Sequence, residues 1–394
     1  MLRALKQSHC AVVLVGVLLG LNGCVPVSDQ TPLPINVAKG LQAEYIVASA
    51  LHPSALATTS DGRVFYAEKN TGRIRVIQND VLLAEPFASV PVNYAGNRGV
   101  LAIALHPRFN LTGRLYVLYT RSDTGLSTDD AQAVVDHRVV YFEADDDVAD
   151  DDEADENISS SGEVFVASLP VGTQTVRVGG RLAFAADETL LVALGDLGND
   201  GDVQNADVLS GKILRYNDDG SIPADNPNPE SAVYAIGFRE PHGLTIDPRT
   251  HAPFLTERSA NGVHEVNRIL AGKNYGWPNV VGFADTADEL AFADQEPTYA
   301  DPLVDSALRR EVFVGAAFNP SSKYGPNLQQ RLFYGLEDAG HIVSLELTDA
   351  RTAAEQADTF ATGLPTPITD VAFTPSGTLY VATEDAILRI VTFR

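Results

Sequence analysis

A chain of 394 residues, 45% of them hydrophobic, is long enough to bury a large core, and with two cysteines it must do so without a disulfide framework. Its formal net charge of -24 argues against nucleic acid as a partner, because neutralising phosphates requires clustered Lys and Arg. Beyond the N-terminus, no apolar run approaches the roughly 20 residues that a membrane-spanning helix needs.

Residues 1–23 read as a lipoprotein signal peptide. Arg3 and Lys6 precede an uncharged run from Ala11 to Leu21, too short to span a bilayer. Leu21-Asn22-Gly23-Cys24 follows and resembles a bacterial lipobox, in which Cys24 is acylated and becomes the new N-terminus. The alternative is an ordinary secretory signal with an incidental cysteine. Either way the chain is expected to leave the cytoplasm. The other thiol, Cys10, lies in the segment to be removed. Val25 after Cys24 resembles lipoproteins held at the periplasmic face of the outer membrane. Residues 24–39, rich in Pro, Ser and Thr, predict a flexible tether.

From residue 40 to 394 a unit recurs: an alternating apolar segment, a turn, then a β-rich segment. Its six copies are Leu56 to Ala67, Ile103 to Tyr119, Leu182 to Leu194, Leu244 to Thr256, Ala317 to Leu336 and Val371 to Thr383. Alternation such as Thr378-Leu379-Tyr380-Val381-Ala382 has the period of two of a half-buried strand, and helical periodicity is nearly absent. Six units of this spacing, closed radially so that no sheet edge is left open, predict an all-β, six-bladed β-propeller. The longest gap holds an acidic run, Asp145 to Glu156, inside an inserted loop at about residues 143–161, which its position assigns to a connection between blades. A solvated loop and a calcium-collecting loop both remain open for it, although the alternating spacing and turn glycine of a calcium loop are missing.

The motifs that carry chemistry follow in order. Arg98-Gly99-Val100-Leu101 and Leu105-His106-Pro107-Arg108-Phe109 come first, then Gly179-Gly180-Arg181-Leu182-Ala183-Phe184 and Ala193-Leu194-Gly195-Asp196. Next stand Gly211-Lys212-Ile213-Leu214-Arg215, Gly237-Phe238-Arg239-Glu240-Pro241-His242-Gly243-Leu244, Glu265-Val266-Asn267 and Gly272-Lys273-Asn274-Tyr275-Gly276-Trp277-Pro278. In this combination the chain resembles the soluble glucose/sorbosone dehydrogenases, six-bladed propellers that depend on pyrroloquinoline quinone (PQQ). The resemblance implies a Ca²⁺ site at Glu265, Tyr275 and Asp285, whose oxygens suit a hard cation. It also implies Arg239 as a cofactor contact.

At the redox site the sequence departs from the family. The resemblance places the general base four residues before Arg181, where this chain has Arg177, and an arginine stays protonated. An asparagine expected after Arg239 is Glu240, a basic residue expected further on is Asp338, and an Arg-x-Arg pair becomes Pro367-Ile368-Thr369. PQQ is a tricarboxylate, so losing cations and gaining acids weakens its binding. His242, three residues after Arg239, is the substitute base by position, or a plain hydrogen-bonding residue. His106 reads as a turn residue and His264 as a weak metal candidate.

Two readings follow. One is an extracytoplasmic quinoprotein that oxidises aldose sugars or related alcohols. The other is a Ca²⁺-stabilised propeller without catalysis that binds carbohydrate or protein at the cell envelope. A propeller hydrolase with a metal in its channel is a third, for which no set of channel acids can be named.

Overall fold

The computed structural model describes residues 35–37, 40–144, 157–306 and 311–392. The signal peptide, Cys24 and most of the acidic run lie outside these residues.

Six antiparallel sheets of four or five strands follow one another along the chain. Their innermost strands are Pro53–Thr58, Val100–Leu105, Gly179–Phe184, Pro241–Ile246, Phe313–Phe318 and Ile368–Phe373. Each touches the next, and the sixth returns to the first, so the ring closes. This is the six-bladed propeller that the repeat predicts. Every repeat copy falls on the hairpin joining the first and second strands of one blade, as in Val371↔Val381 of blade 6.

Burial explains why the blades need no staples. Six apolar clusters form, each between two neighbouring blades, such as Phe65, Phe87, Val117 and Val140 between blades 1 and 2. The second strands of four blades, among them Val64–Glu68, Leu190–Leu194 and Leu379–Thr383, are buried at every position. The half-buried pattern expected of the last is therefore corrected: a blade packed on both faces hides both sets of side chains. Phe333 of blade 5 meets Phe360 of the same blade and Phe373 of blade 6 edge to face, each at 5.1 Å, an arrangement aromatic quadrupoles favour.

The ring is closed by the start of the chain. Leu41–Val47 pairs with Ile387–Thr392 and completes blade 6. Asn36–Val37 pairs with the outer strand of blade 5, so the chain joins the propeller before residue 40 and the expected tether is shorter than 24–39. The acidic insert also moves: it leaves blade 2 after Val134–Glu143 and returns, through a bridge of Ala144 to Ser159, into the outer strand Val164–Leu169 of the same blade. It is an insertion within a blade. A nine-residue helix, Ala287–Gln295, buries none of its residues and carries a capping box between Thr286 and Glu289. The absent apolar stripe hid it; the Thr-x-x-Glu spacing marked its start.

Candidate functional site

Where the six innermost strands converge, a cavity of about 230 Å³ opens at the mouth of the ring. All six blades line it: Ser54 and Lys69, Asn97, Arg181, Glu240 and His242, Glu337, and Thr369 with Glu384. Beside it runs a band of polar residues in blades 3 and 4 that are tied to one another.

That band centres on Asp196, which is wholly buried after the strand Leu190–Leu194. It accepts from Gly198 N and Trp277 Nε1, each at 2.9 Å, and pairs with Arg177 Nε at 3.1 Å. Burial pushes the Asp196 carboxyl above its usual range, although the bond from Gly198, the Arg177 charge and Trp277 pull the other way. Arg177 holds a left-handed backbone, φ 54°, rare for a residue with a side chain. Gly195 makes the close approach possible: a Cβ there would stand 2.2 Å from the Arg177 carbonyl and 2.9 Å from that of Arg239. Arg239 stacks over Trp277 at 5.3 Å and donates to the carbonyls of Arg258 at 3.4 Å and Ser259 at 3.1 Å. Both arginines singled out in the sequence are thus committed within the protein, and neither lines the cavity.

The mouth is different. Glu240 lines it with only 6% of its side chain exposed, yet its nearest cations are His242 Nε2 at 3.8 Å and Arg258 Nε at 4.0 Å, beyond hydrogen-bonding distance. Burial alone would raise its pKa, but His242, Arg258 and Arg239 outweigh it and hold the carboxyl below its usual value, so it carries charge at neutral pH. Arg258 also reaches Glu337, at 3.9 Å. Glu337, not Asp338, faces the cavity; Asp338 is exposed. The acid that this turn contributes to the cavity is therefore Glu337. Pro367, Ile368 and Thr369 do line the mouth, as the departure from Arg-x-Arg implies. Arg181 gives its Nε to the His242 carbonyl at 2.6 Å and its Nη1 to Leu101 O at 2.8 Å. Lys69 donates to Gly96 O at 2.7 Å, and burial lowers its pKa.

The expected Ca²⁺ residues are brought together only in part. Glu265 is buried and accepts from Gly282 N at 2.9 Å and Asn267 Nδ2 at 3.1 Å. Across the sheet it stands between Glu257 and Asp305, three acids in one row over three strands. Burial pushes Glu265 up to about 7 and raises Glu257 as well. Tyr275 is buried against Phe238, and its hydroxyl donates to Arg268 O, so any ligand role falls to its carbonyl. Asp285 is exposed ahead of the helix, and the acid beside Glu265 is Asp305. No local spacing signals Asp305, because the pairing crosses strands. Among the described residues no three His, Cys, Asp or Glu side chains are grouped as an assembled metal centre. A hard cation here would be held by Glu265 with Glu257 or Asp305 beside it.

Glu257 is the residue that sequence reasoning missed. Its Oε1 accepts from the backbone N–H of Arg239 and, at 3.3 Å, from that of Glu240, fixing the turn that carries Glu240 into the mouth. His106 accepts from Arg108 N at 3.1 Å in its turn, as expected. His264 is a core residue, its ring edge-on to Phe313.

The family model for glucose / sorbosone dehydrogenase matches residues 50–391. The chain belongs to that family. The aldose sugar dehydrogenase YliI of Escherichia coli K12 is 31% identical over 353 residues, covering 85% of this chain and 88% of the relative. The soluble aldose sugar dehydrogenase of Escherichia coli, solved in its apo form, superposes with a TM-score of 0.71 at 25% identity, over 89% of this chain and 99% of that one. The PQQ-bound aldose sugar dehydrogenase of Streptomyces coelicolor shares the fold, with a TM-score of 0.72 at 23% identity over 90% and 99%.

The mouth carries more acidic side chains than Lys and Arg. A bound tricarboxylate needs free cations facing it. Here Glu240, Glu337 and Glu384 face Lys69 and Arg181, each of which gives part of its donor set to backbone carbonyls. These residues do not make a cradle for PQQ.

Proposed function

We propose that this glucose/sorbosone dehydrogenase family member works without a quinone, as a ligand-binding propeller of the cell envelope. The observation that carries the reading is the charge of the mouth: three carboxylates, of Glu240, Glu337 and Glu384, line a cavity in which a tricarboxylate cofactor would need cations. Arg177 supports it, since it occupies the position of the family base, is always protonated and is tied to Asp196. The N-terminal signal and Cys24 support a lipid-anchored form outside the cytoplasm, on the periplasmic face of the outer membrane.

The second reading is quinone-dependent oxidation of an aldose or related alcohol, favoured by family membership and by the retained Arg239. His242, which lines the mouth, is then the residue placed to take the hydroxyl proton. Titrating the purified protein with PQQ in the presence of Ca²⁺, followed by dye reduction with a panel of aldoses, separates the two. No quinone-dependent spectral change and no turnover are expected. A saturable change with turnover replaces the first reading by the second.

A further inference from the structure

Glu240 is an exception among the buried acids of this protein. Asp196, Glu68, Glu257 and Glu265 each accept at least one hydrogen bond within 3.5 Å. Glu240 has only 6% of its side chain exposed, remains ionised, and has its nearest cationic donors at 3.8 and 4.0 Å. A buried carboxylate whose cations stand this far off is only loosely compensated, and in native proteins such a group commonly marks a place where something else binds. Two more polar atoms of the same lining, His242 Nε2 and Thr369 Oγ1, are out of water and without a hydrogen-bond partner. Two unpartnered atoms and one loosely paired carboxylate therefore converge on one cavity.

The charges say what would satisfy them. Arg258 stands between Glu240 and Glu337 at the outer limit of an ion pair from each, and its side chain is 43% exposed. It screens both carboxylates and saturates neither. A compact ammonium entering the cavity would reach hydrogen-bonding distance of carboxylates that the arginine does not. Thr369, His242, Ser54 and Asn97 offer hydroxyls, a ring nitrogen and an amide to neutral hydroxyl groups, while Leu101 and Val314 give an apolar floor. The net charge of -24 draws cations toward the mouth.

From this geometry we infer that the mouth binds a small cationic polyol of the amino-sugar class, its ammonium seated at Glu240 and Glu337 and its hydroxyls on Thr369 and His242. The inference rests on the proposal that the mouth takes no quinone, and its test keeps the two apart. The intact protein is titrated calorimetrically at about pH 6.5, where an amine keeps its proton, with glucosamine, glucose and N-acetylglucosamine. Glucosamine should bind about tenfold tighter than either of the others, since both lack the charge. Glu337→Gln and Glu240→Gln should each remove about that factor for glucosamine and leave glucose unchanged. Glu337 is partly exposed at the cavity wall, so its variant is expected to fold even where Glu240→Gln does not. Equal affinities for the three sugars, no binding of any, or an unchanged glucosamine affinity in Glu337→Gln overturns the inference. Binding of PQQ in a parallel titration would instead overturn the reading beneath it.

Discussion

Two buried acids, Asp196 of blade 3, whose N–H donates to Arg239 O at 2.8 Å, and Glu240, the residue after that arginine, are treated in opposite ways. Asp196 accepts two hydrogen bonds and pairs with a guanidinium at 3.1 Å, while Glu240 has no cationic partner nearer than 3.8 Å. The comparison teaches that the arginines most suggestive in the sequence serve the scaffold, and that the loosely paired acid is the one available to a ligand. The most severe way to break the contrast is Asp196→Ala. It strands Arg177 and the Trp277 N–H at once, and removing one partner of a buried pair costs about 3–5 kcal/mol. Urea denaturation should show that loss as a lower midpoint at unchanged slope.

A third buried group tests whether an unmet partner means function or only cost. His137 is wholly buried in blade 2; its Nδ1 meets Thr120 Oγ1 at 2.9 Å and its Nε2 has no partner. Burial, then the charge of Arg98, holds its pKa down to about 3, against a mild pull from Asp136. The unfolded chain takes up a proton near pH 6.5 and the folded chain does not, so the contribution of His137 is present above 6.5 and lost as pH falls toward 3. The loss is about 1.4 kcal/mol per unit, or about 2 kcal/mol by pH 5. Thermal melts from pH 7 to 5 should fall more steeply for the natural protein than for His137→Gln. Parallel slopes would mean that this histidine is not the acid-sensitive element.

The blades were legible because each repeats one hairpin, and six copies of an alternating pattern outweigh any single ambiguous strand. Leu182 to Leu194 and Val371 to Thr383 fell on their hairpins without correction. The mouth was legible in composition and less so in address. Glu240 and Thr369 were named and line the cavity, whereas of the neighbouring acids Asp338 and Glu337 it is Glu337 that does so, and adjacent residues in a strand or its turn face opposite sides. Asp305 and Glu257 escaped notice because their neighbours lie across strands, at separations that no linear motif encodes.

Smaller changes sharpen the contrast between Asp196 and Glu240. Trp277→Phe removes the indole donor to Asp196 and part of the face beneath Arg239, while Arg177 and Gly198 still hold the acid. A loss of about 1–2 kcal/mol is expected in the same denaturation measurement. A loss as large as that of Asp196→Ala would mean that the indole, rather than the carboxylate, organises the band.

At the mouth the expected effect on stability is smallest, and its sign is the informative part. Thr369 Oγ1 is buried with no partner, so folding takes it from water and returns nothing. Valine has nearly the same shape and no hydroxyl to desolvate. Thr369→Val should therefore leave stability within about 0.5 kcal/mol or raise it, because replacing an unsatisfied polar atom by an apolar one removes its penalty. The same variant should weaken sugar binding in calorimetry, since the hydroxyl is one of the two unpartnered atoms left for the ligand. A residue that stabilises when deleted and binds when kept is held for binding; if stability fell by more than about 1 kcal/mol with binding intact, Thr369 would belong with the scaffold band around Asp196.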